Sequence, residues 1–160
     1  MPVISLKDLK AQLPKGRRLM GIDHGTKTWG LALADPGLKM ATPFKTIHRT
    51  KFMADLQKLG ALCREYEVGG LIVGLPLNMD GSRGPRTDSV EHFGVNIIKS
   101  KDVFGLDPLI AFHDERLSTW AAEQALIQDL DMSREKRRDI IDAQAAAGIL
   151  QSALDVMAAI

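Results

Sequence analysis

Short apolar runs closed by glycine, proline or aspartate alternate along this chain with stretches whose apolar residues return every three or four positions. Residues 5–13 show a short amphipathic helical pattern that Pro14 and Gly16 end. Residues 18–23 form an apolar run that predicts a buried strand, His24-Gly25-Thr26-Lys27-Thr28 predicts a turn, and residues 29–34 predict a second strand that should pair with the first as a hairpin. Asp35-Pro36-Gly37 is a turn signal, and residues 42–47 predict a third strand, with Pro43 placing it at a sheet edge. From 50 to 67 the apolar positions are 52, 53, 56, 59, 62, 63 and 66, which is helical spacing. Residues 71–75 are continuously apolar, as in a central strand covered on both faces. Residues 78–87 form a polar loop with two glycines and a proline, 88–99 a helix and 109–113 a fifth strand. Ser118 or Thr119 can cap a helix to about residue 129, and Ser133 can cap a last helix running nearly to the end.

A hairpin and a third strand followed by helix, strand, helix, strand and two helices predict an α/β architecture: a mixed five-stranded sheet with helices on both faces. In such sheets sites gather at the C-terminal ends of the central strands. The 160 residues are expected to form one domain, 1–160.

Composition excludes more than it selects. A single cysteine rules out an internal disulfide and a cysteine zinc cluster, and it fits a reducing compartment. Cys63 shares a helical stripe with Leu56, Leu59 and Tyr66, so it is expected to be a buried apolar residue rather than a nucleophile. No apolar stretch approaches the roughly 20 residues of a membrane span. The N-terminus lacks the charged-then-apolar order of a signal peptide, so a cytoplasmic protein without membrane contact is expected. A net charge of +1 does not announce a nucleic-acid binder. Three basic clusters stand out: Lys15, Arg17 and Arg18; Arg83 and Arg86; and Arg134, Lys136, Arg137 and Arg138. Each alone is compatible with a solvated face. Convergence around carboxylates would make them phosphate contacts.

The chemistry centres on three acids. Asp23 ends the first apolar run, Glu115 follows the fifth strand, and Asp142 begins a helical stripe continued by Ala145, Ala146, Ile149, Leu150, Ala153 and Leu154. A carboxylate near a core is costly to desolvate alone. Three drawn together make sense around a shared divalent cation, because hard cations take oxygen ligands. Alternatives stand beside this reading. Asp23 could satisfy turn amides, and Asp142 could lie at the stripe's margin and reach solvent. Asp114 and Glu115 point to opposite faces of a strand, so at most one readily joins the site and Arg116 can pair with the other. The loop at 78–87 offers glycines for close backbone approach and two arginines for phosphate.

Four segments resemble the YqgF/RuvX family: Gly21-Ile22-Asp23-His24-Gly25-Thr26-Lys27; Ile72-Val73-Gly74-Leu75-Pro76-Leu77-Asn78-Met79-Asp80-Gly81; Asp114-Glu115-Arg116-Leu117-Ser118-Thr119; and Asp142, Ala145 and Ala146 with Ile149-Leu150-Gln151. The resemblance covers about residues 18–155. The family comprises bacterial pre-16S rRNA nucleases, also described as Holliday junction resolvases. It implies a ribonuclease H-like fold related to RuvC-type resolvases, and a nuclease dependent on Mg²⁺ or Mn²⁺. By motif, Asp23, Glu115 and Asp142 would bind the metal and carry catalysis, and Lys27, Arg83 and Arg86 would contact nucleic acid. Resolvase relatives carry the second acid on an earlier strand, where this chain has uncharged Ile72-Val73-Gly74-Leu75. That departure bears on Glu115, which the motif assigns; if Glu115 does not reach the metals, Asp114 is its substitute. His24 stands where a tyrosine is common, in what reads as the turn.

The expected chemistry is two-metal phosphodiester hydrolysis, with Asp23 shared between the ions. The expected partner is precursor rRNA, within or outside a ribosomal particle. A four-way DNA junction is the rival substrate and would favour a homodimer over a monomer. An ATPase reading of the Asp23-x-Gly25-Thr26 turn ranks lower, because such enzymes place ATP between two domains of this kind. A non-catalytic binding module is the remaining alternative.

Overall fold

Two hydrophobic faces on one sheet organise the described residues, 3–117 and 133–160, of the computed structural model. The helix predicted from Ser118 or Thr119 to about residue 129 lies outside the described residues. β1 (Arg18–His24) pairs antiparallel with β2 (Thr28–Ala34), which pairs antiparallel with β3 (Ala41–His48). On its other side β1 pairs in parallel with β4 (Val68–Leu75), which pairs in parallel with β5 (Leu109–Asp114). The order is β3-β2-β1-β4-β5, so Pro43 lies on an edge strand, where its missing N–H breaks no inner ladder.

Side-chain alternation along β1 decides what meets what. Met20 and Ile22 face the core shared with α2 (Phe52–Glu65), α3 (Pro85–Lys99) and the short α4 (Lys101–Phe104). Leu19 faces the opposite core, with α1 (Leu6–Gln12) and the long final helix α5 (Arg134–Ala158). Each fully buried Leu or Ile contributes roughly 1.5–3 kcal/mol. Cys63 is buried in the α2 core, and burial pushes its thiol up to about 12, so it behaves as the expected apolar filler.

α5 lies close against the sheet because both surfaces are small. Ala145 and Ala146 are buried on the helix side. Gly21 and Gly30 face the helix from the sheet side. A Cβ at Gly30 would stand 2.0 Å from the backbone oxygen of Asp142, and one at Gly21 would stand 2.8 Å from that of Ala146.

Three local expectations change. α3 begins at Pro85, not at residue 88, because proline is preorganised for the first helical position and the Gly84 N–H finds Thr87 Oγ1 at 3.1 Å. α4 was not expected; it is one turn long and ends at Gly105, whose φ of 84° suits glycine. His24 belongs to β1 rather than to the turn. It pairs with Trp29, and its buried ring packs 4.5 Å from the Phe93 ring and 6.1 Å from that of Trp29.

Candidate active site

Alternation carries Asp23 to the α5 side of the sheet, two residues beyond Gly21. Its register partner on β2 is Gly30, the residue against which the Asp142 backbone rests. One glycine contact therefore sets both acids near the same end of the hairpin. Thr28, two residues before Gly30 and facing the same way, donates from Oγ1 to Asp142 Oδ2 at 2.6 Å.

Glu115 arrives differently. It opens the 3₁₀ turn Glu115–Leu117 just past β5, continuing the parity of His113, which contacts Ser152 of α5. Between β5 and β1 stands β4, whose residue here is Gly74. A Cβ at Gly74 would come 3.2 Å from Glu115 Oε2. Absence of a side chain on β4 thus lets an acid from β5 reach over that strand towards Asp23. The resulting cleft, about 340 Å³, is lined by Asp23, His24, Gly25, Thr26, Pro76, Arg86 and Glu115.

Asp114 points elsewhere. Its carboxylate takes Arg116 Nε at 3.0 Å and Nη2 at 2.6 Å, and Arg116 Nη1 reaches the Met79 carbonyl at 3.0 Å. That pairing ties the loop after β4 to the end of β5. Of the two adjacent acids, it is Glu115 that enters the cleft.

The acids repel one another in a partly dry place. Burial, then the charges of Glu115 and Asp142, push the Asp23 carboxyl up to about 7 against the opposing pull of Arg86. Burial raises Glu115 as well, again opposed by Arg86. Asp142 is raised by burial and by the charge of Asp139, one turn earlier, and is lowered by the Thr28 hydrogen bond and by Arg138 and His48. The donors are all oxygens, and the surplus negative charge suits a hard cation. Asp142 is turned to Thr28, and among the described residues no three acidic, imidazole or thiol groups form a ready cage. Asp23 and Glu115 could hold such an ion with its other positions left to waters or substrate oxygens, and Asp142 would add a third charge nearby.

The basic residues separate. Arg86 lines the cleft and donates to the His24 carbonyl. Arg83 is held by Asp88 at 2.6 Å and by Glu91, along α3 and away from the cleft lining. Lys27 is exposed in the hairpin turn and lines a different groove with Thr28, His48, Arg134 and Arg138. Lys15, Arg17 and Arg18 lie at the opposite end of β1 from Asp23. Sequence reading missed Thr28 and Asp139. Both were findable: Thr28 shares the parity of Gly30 on β2, and Asp139 precedes Asp142 by three residues on one helix face.

A mixed sheet in this order, with acids at the ends of β1 and β5 and on the covering helix, defines a ribonuclease H-like fold of the resolvase kind. Thermus thermophilus RuvC in complex with a Holliday junction superposes with a TM-score of 0.52 at 12% identity, covering 88% of this chain and 94% of that one. The yeast mitochondrial Holliday junction resolvase gives a TM-score of 0.50 at 10% identity, covering 96% and 84%. The chain belongs to the RuvX family, described as Holliday junction resolvase, whose profile matches residues 17–156. It is 51% identical over 155 residues to a "Putative pre-16S rRNA nuclease" of Rhodospirillum centenum, covering 97% of this chain and 82% of that relative. A protein of the same name in Sphingopyxis alaskensis is 52% identical over 150 residues, covering 94% of each.

Proposed function

We propose that the protein is a divalent-metal-dependent nuclease that trims the 5′ end of precursor 16S rRNA in the cytoplasm. The observation that carries this reading is the Asp23–Glu115 cleft. One acid from β1 and one from the turn after β5 line a single concavity with Arg86, and Asp142 adds its charge from the covering helix. The names of the close relatives supply the substrate.

Asp23 and Glu115 would hold Mg²⁺ or Mn²⁺, with Asp142 completing the set by turning from Thr28. A divalent ion supplies a lowered pKa for water and charge relief at phosphorus. The chain's own residues do the rest. Arg86, whose guanidinium faces the cleft, pairs with a substrate phosphate oxygen. The Gly25-Thr26 turn brings backbone close to the strand. Arg83 would have to leave Asp88 and Glu91 before touching phosphate, so within this cleft we assign that contact to Arg86.

The test is cleavage of a labelled precursor rRNA fragment and of a four-way DNA junction in parallel, each with Mg²⁺ and with Mn²⁺. Metal-dependent cleavage of the RNA at its 5′ boundary is expected. Cleavage of the junction alone would transfer the assignment to DNA, and cleavage of neither would leave a binding module.

The two neighbouring acids give a sharper expectation. Glu115→Gln should lower kcat/KM by about 10²-fold or more, because it weakens one of two metal-holding carboxylates. Asp114→Asn only loosens the Arg116 clamp on the loop, so its effect should stay below about tenfold and fall mainly on KM. The reverse ranking in steady-state kinetics would make Asp114 the acid.

A further inference from the structure

A second concavity, about 380 Å³, is lined by the second half of the β1–β2 turn. The cleft takes Gly25 and Thr26 from that turn, and the groove takes Lys27 and Thr28. Three more residues of the groove's wall are basic. His48 closes β3, and Arg134 and Arg138 come from the first two turns of α5, four residues apart and so on one helix face. The positive end of the α5 dipole adds to them.

What distinguishes Lys27, Arg134 and Arg138 is that no acid among the described residues pairs with them. Arg83 and Arg116 are each neutralised by acids beside them. Lys27, Arg134 and Arg138 are exposed and make no ion pair among the described residues. Two acids share the wall. Asp139 is engaged by His48 at 3.1 Å, and Glu135 stands alone against three permanent positive charges. The floor of the groove is Thr28, whose hydroxyl binds Asp142. Arg138 and His48 are near enough to pull the Asp142 carboxyl down. The groove therefore reaches the hydroxyl that holds the third acid.

We propose that this groove is a second phosphate seat, in which Lys27, Arg134 and Arg138 hold the backbone of the substrate strand next to the reacting phosphodiester. Arginine forks suit phosphate oxygens, and such contacts fix register without reading bases. The position relative to the reacting bond rests on the nuclease reading; the affinity for a phosphodiester backbone does not.

The experiment measures binding of a labelled single-stranded RNA from the precursor region in EDTA, across a salt series, and cleavage of the same RNA with Mg²⁺. A four-way DNA junction forms the second arm. Wild type is compared with Arg134→Ala/Arg138→Ala, with Arg134→Lys/Arg138→Lys, and with Lys27→Ala in case the double alanine variant melts early. Removing two phosphate contacts should weaken binding about tenfold near 0.1 M salt and flatten the slope of log K against log salt by about 1.4 for a single strand. The lysine pair should restore the slope, and Lys27→Ala should flatten it by about 0.7. In cleavage, KM should rise by more than kcat falls. An unchanged slope in both alanine variants overturns the proposal, as does a fall in kcat with KM unchanged. Cleaving protein with unchanged slopes would sink the groove and keep the nuclease. Non-cleaving protein whose slopes respond would do the opposite. If only the junction's slope responds, the seat is for DNA strands.

Discussion

Asp23→Asn leaves a folded protein that no longer cleaves: kcat/KM falls by about 10³-fold or more, equivalent to roughly 4 kcal/mol of transition-state stabilisation. The same substitution should stabilise the fold at alkaline pH, which separates lost chemistry from lost structure. Asp23 sits among like charges with its carboxyl raised from 3.8 to about 7. The folded protein therefore binds this proton more tightly than the unfolded chain does. Without a divalent ion, stability is fullest below the unfolded value and declines as pH rises from about 4 through about 7. The cost above pH 7 is roughly 2–4 kcal/mol, and asparagine removes most of it. Thermal melts at pH 8 in EDTA should place the variant above wild type, with the gap closing towards pH 4. Added Mg²⁺ should raise the wild-type melting temperature and leave the variant nearly unchanged. A variant that still cleaves within tenfold of wild type would remove Asp23 from the chemistry. Equal melts at pH 8 would remove the electrostatic account.

Gly30→Ala should be the most damaging small substitution in the sheet. The added methyl would meet only backbone: the Asp142 oxygen at 2.0 Å, its carbonyl carbon at 2.5 Å and the Ala143 nitrogen at 3.2 Å. No side chain can swing aside, so α5 must lift from β2. That helix covers the core built from Leu19, Ala32, Ile72, Ile149, Leu150 and Leu154. A loss of about 3 kcal/mol is expected, which for a chain of this size lowers the melting temperature by roughly 6–12 °C. Lifting the helix also shifts Asp142 against Asp23, so the fraction still folded should cleave more slowly. Gly74→Ala gives the contrast. Its nearest contact is the flexible end of Ile149, so stability should fall less, while the 3.2 Å approach to Glu115 Oε2 still disturbs the acid. If Gly30→Ala melted like wild type, the close packing of α5 would not set the site.

Much of this arrangement was readable from local pattern. The hairpin, the edge position of β3 and the apolar β4 follow from runs and breakers that act within a few residues. The small residues Ala145 and Ala146 on the apolar stripe are what let the last helix lie close to the sheet. The departures come from contacts between distant segments. His24 reads as turn because Gly25 follows it, yet Phe93 supplies a ring to pack against, and the strand extends to bury it. Arg83 reads as a free phosphate donor when the helix is taken to begin at residue 88. With Pro85 opening the helix, Asp88 and Glu91 lie on one face within reach of that guanidinium. The choice of Glu115 over Asp114 was open, since adjacent residues on a strand point oppositely. Parity with His113, and the bare Gly74 beside it, put Glu115 rather than Asp114 in the cleft once the strand order is known.

Cys63 gives the fold a built-in clock. The only thiol of the chain lies in the α2 core, on the face of the sheet opposite α5, and its raised pKa keeps it unreactive while covered. Its modification by a thiol reagent thus counts openings of that face alone. Lifting α5 with Gly30→Ala perturbs the other face. Labelling of Cys63 that quickens in step would mean that both layers come apart as one cooperative unit through the shared strands. Labelling that keeps its pace would mean that the helix bearing Asp142 can detach and return while the rest of the sheet stays closed.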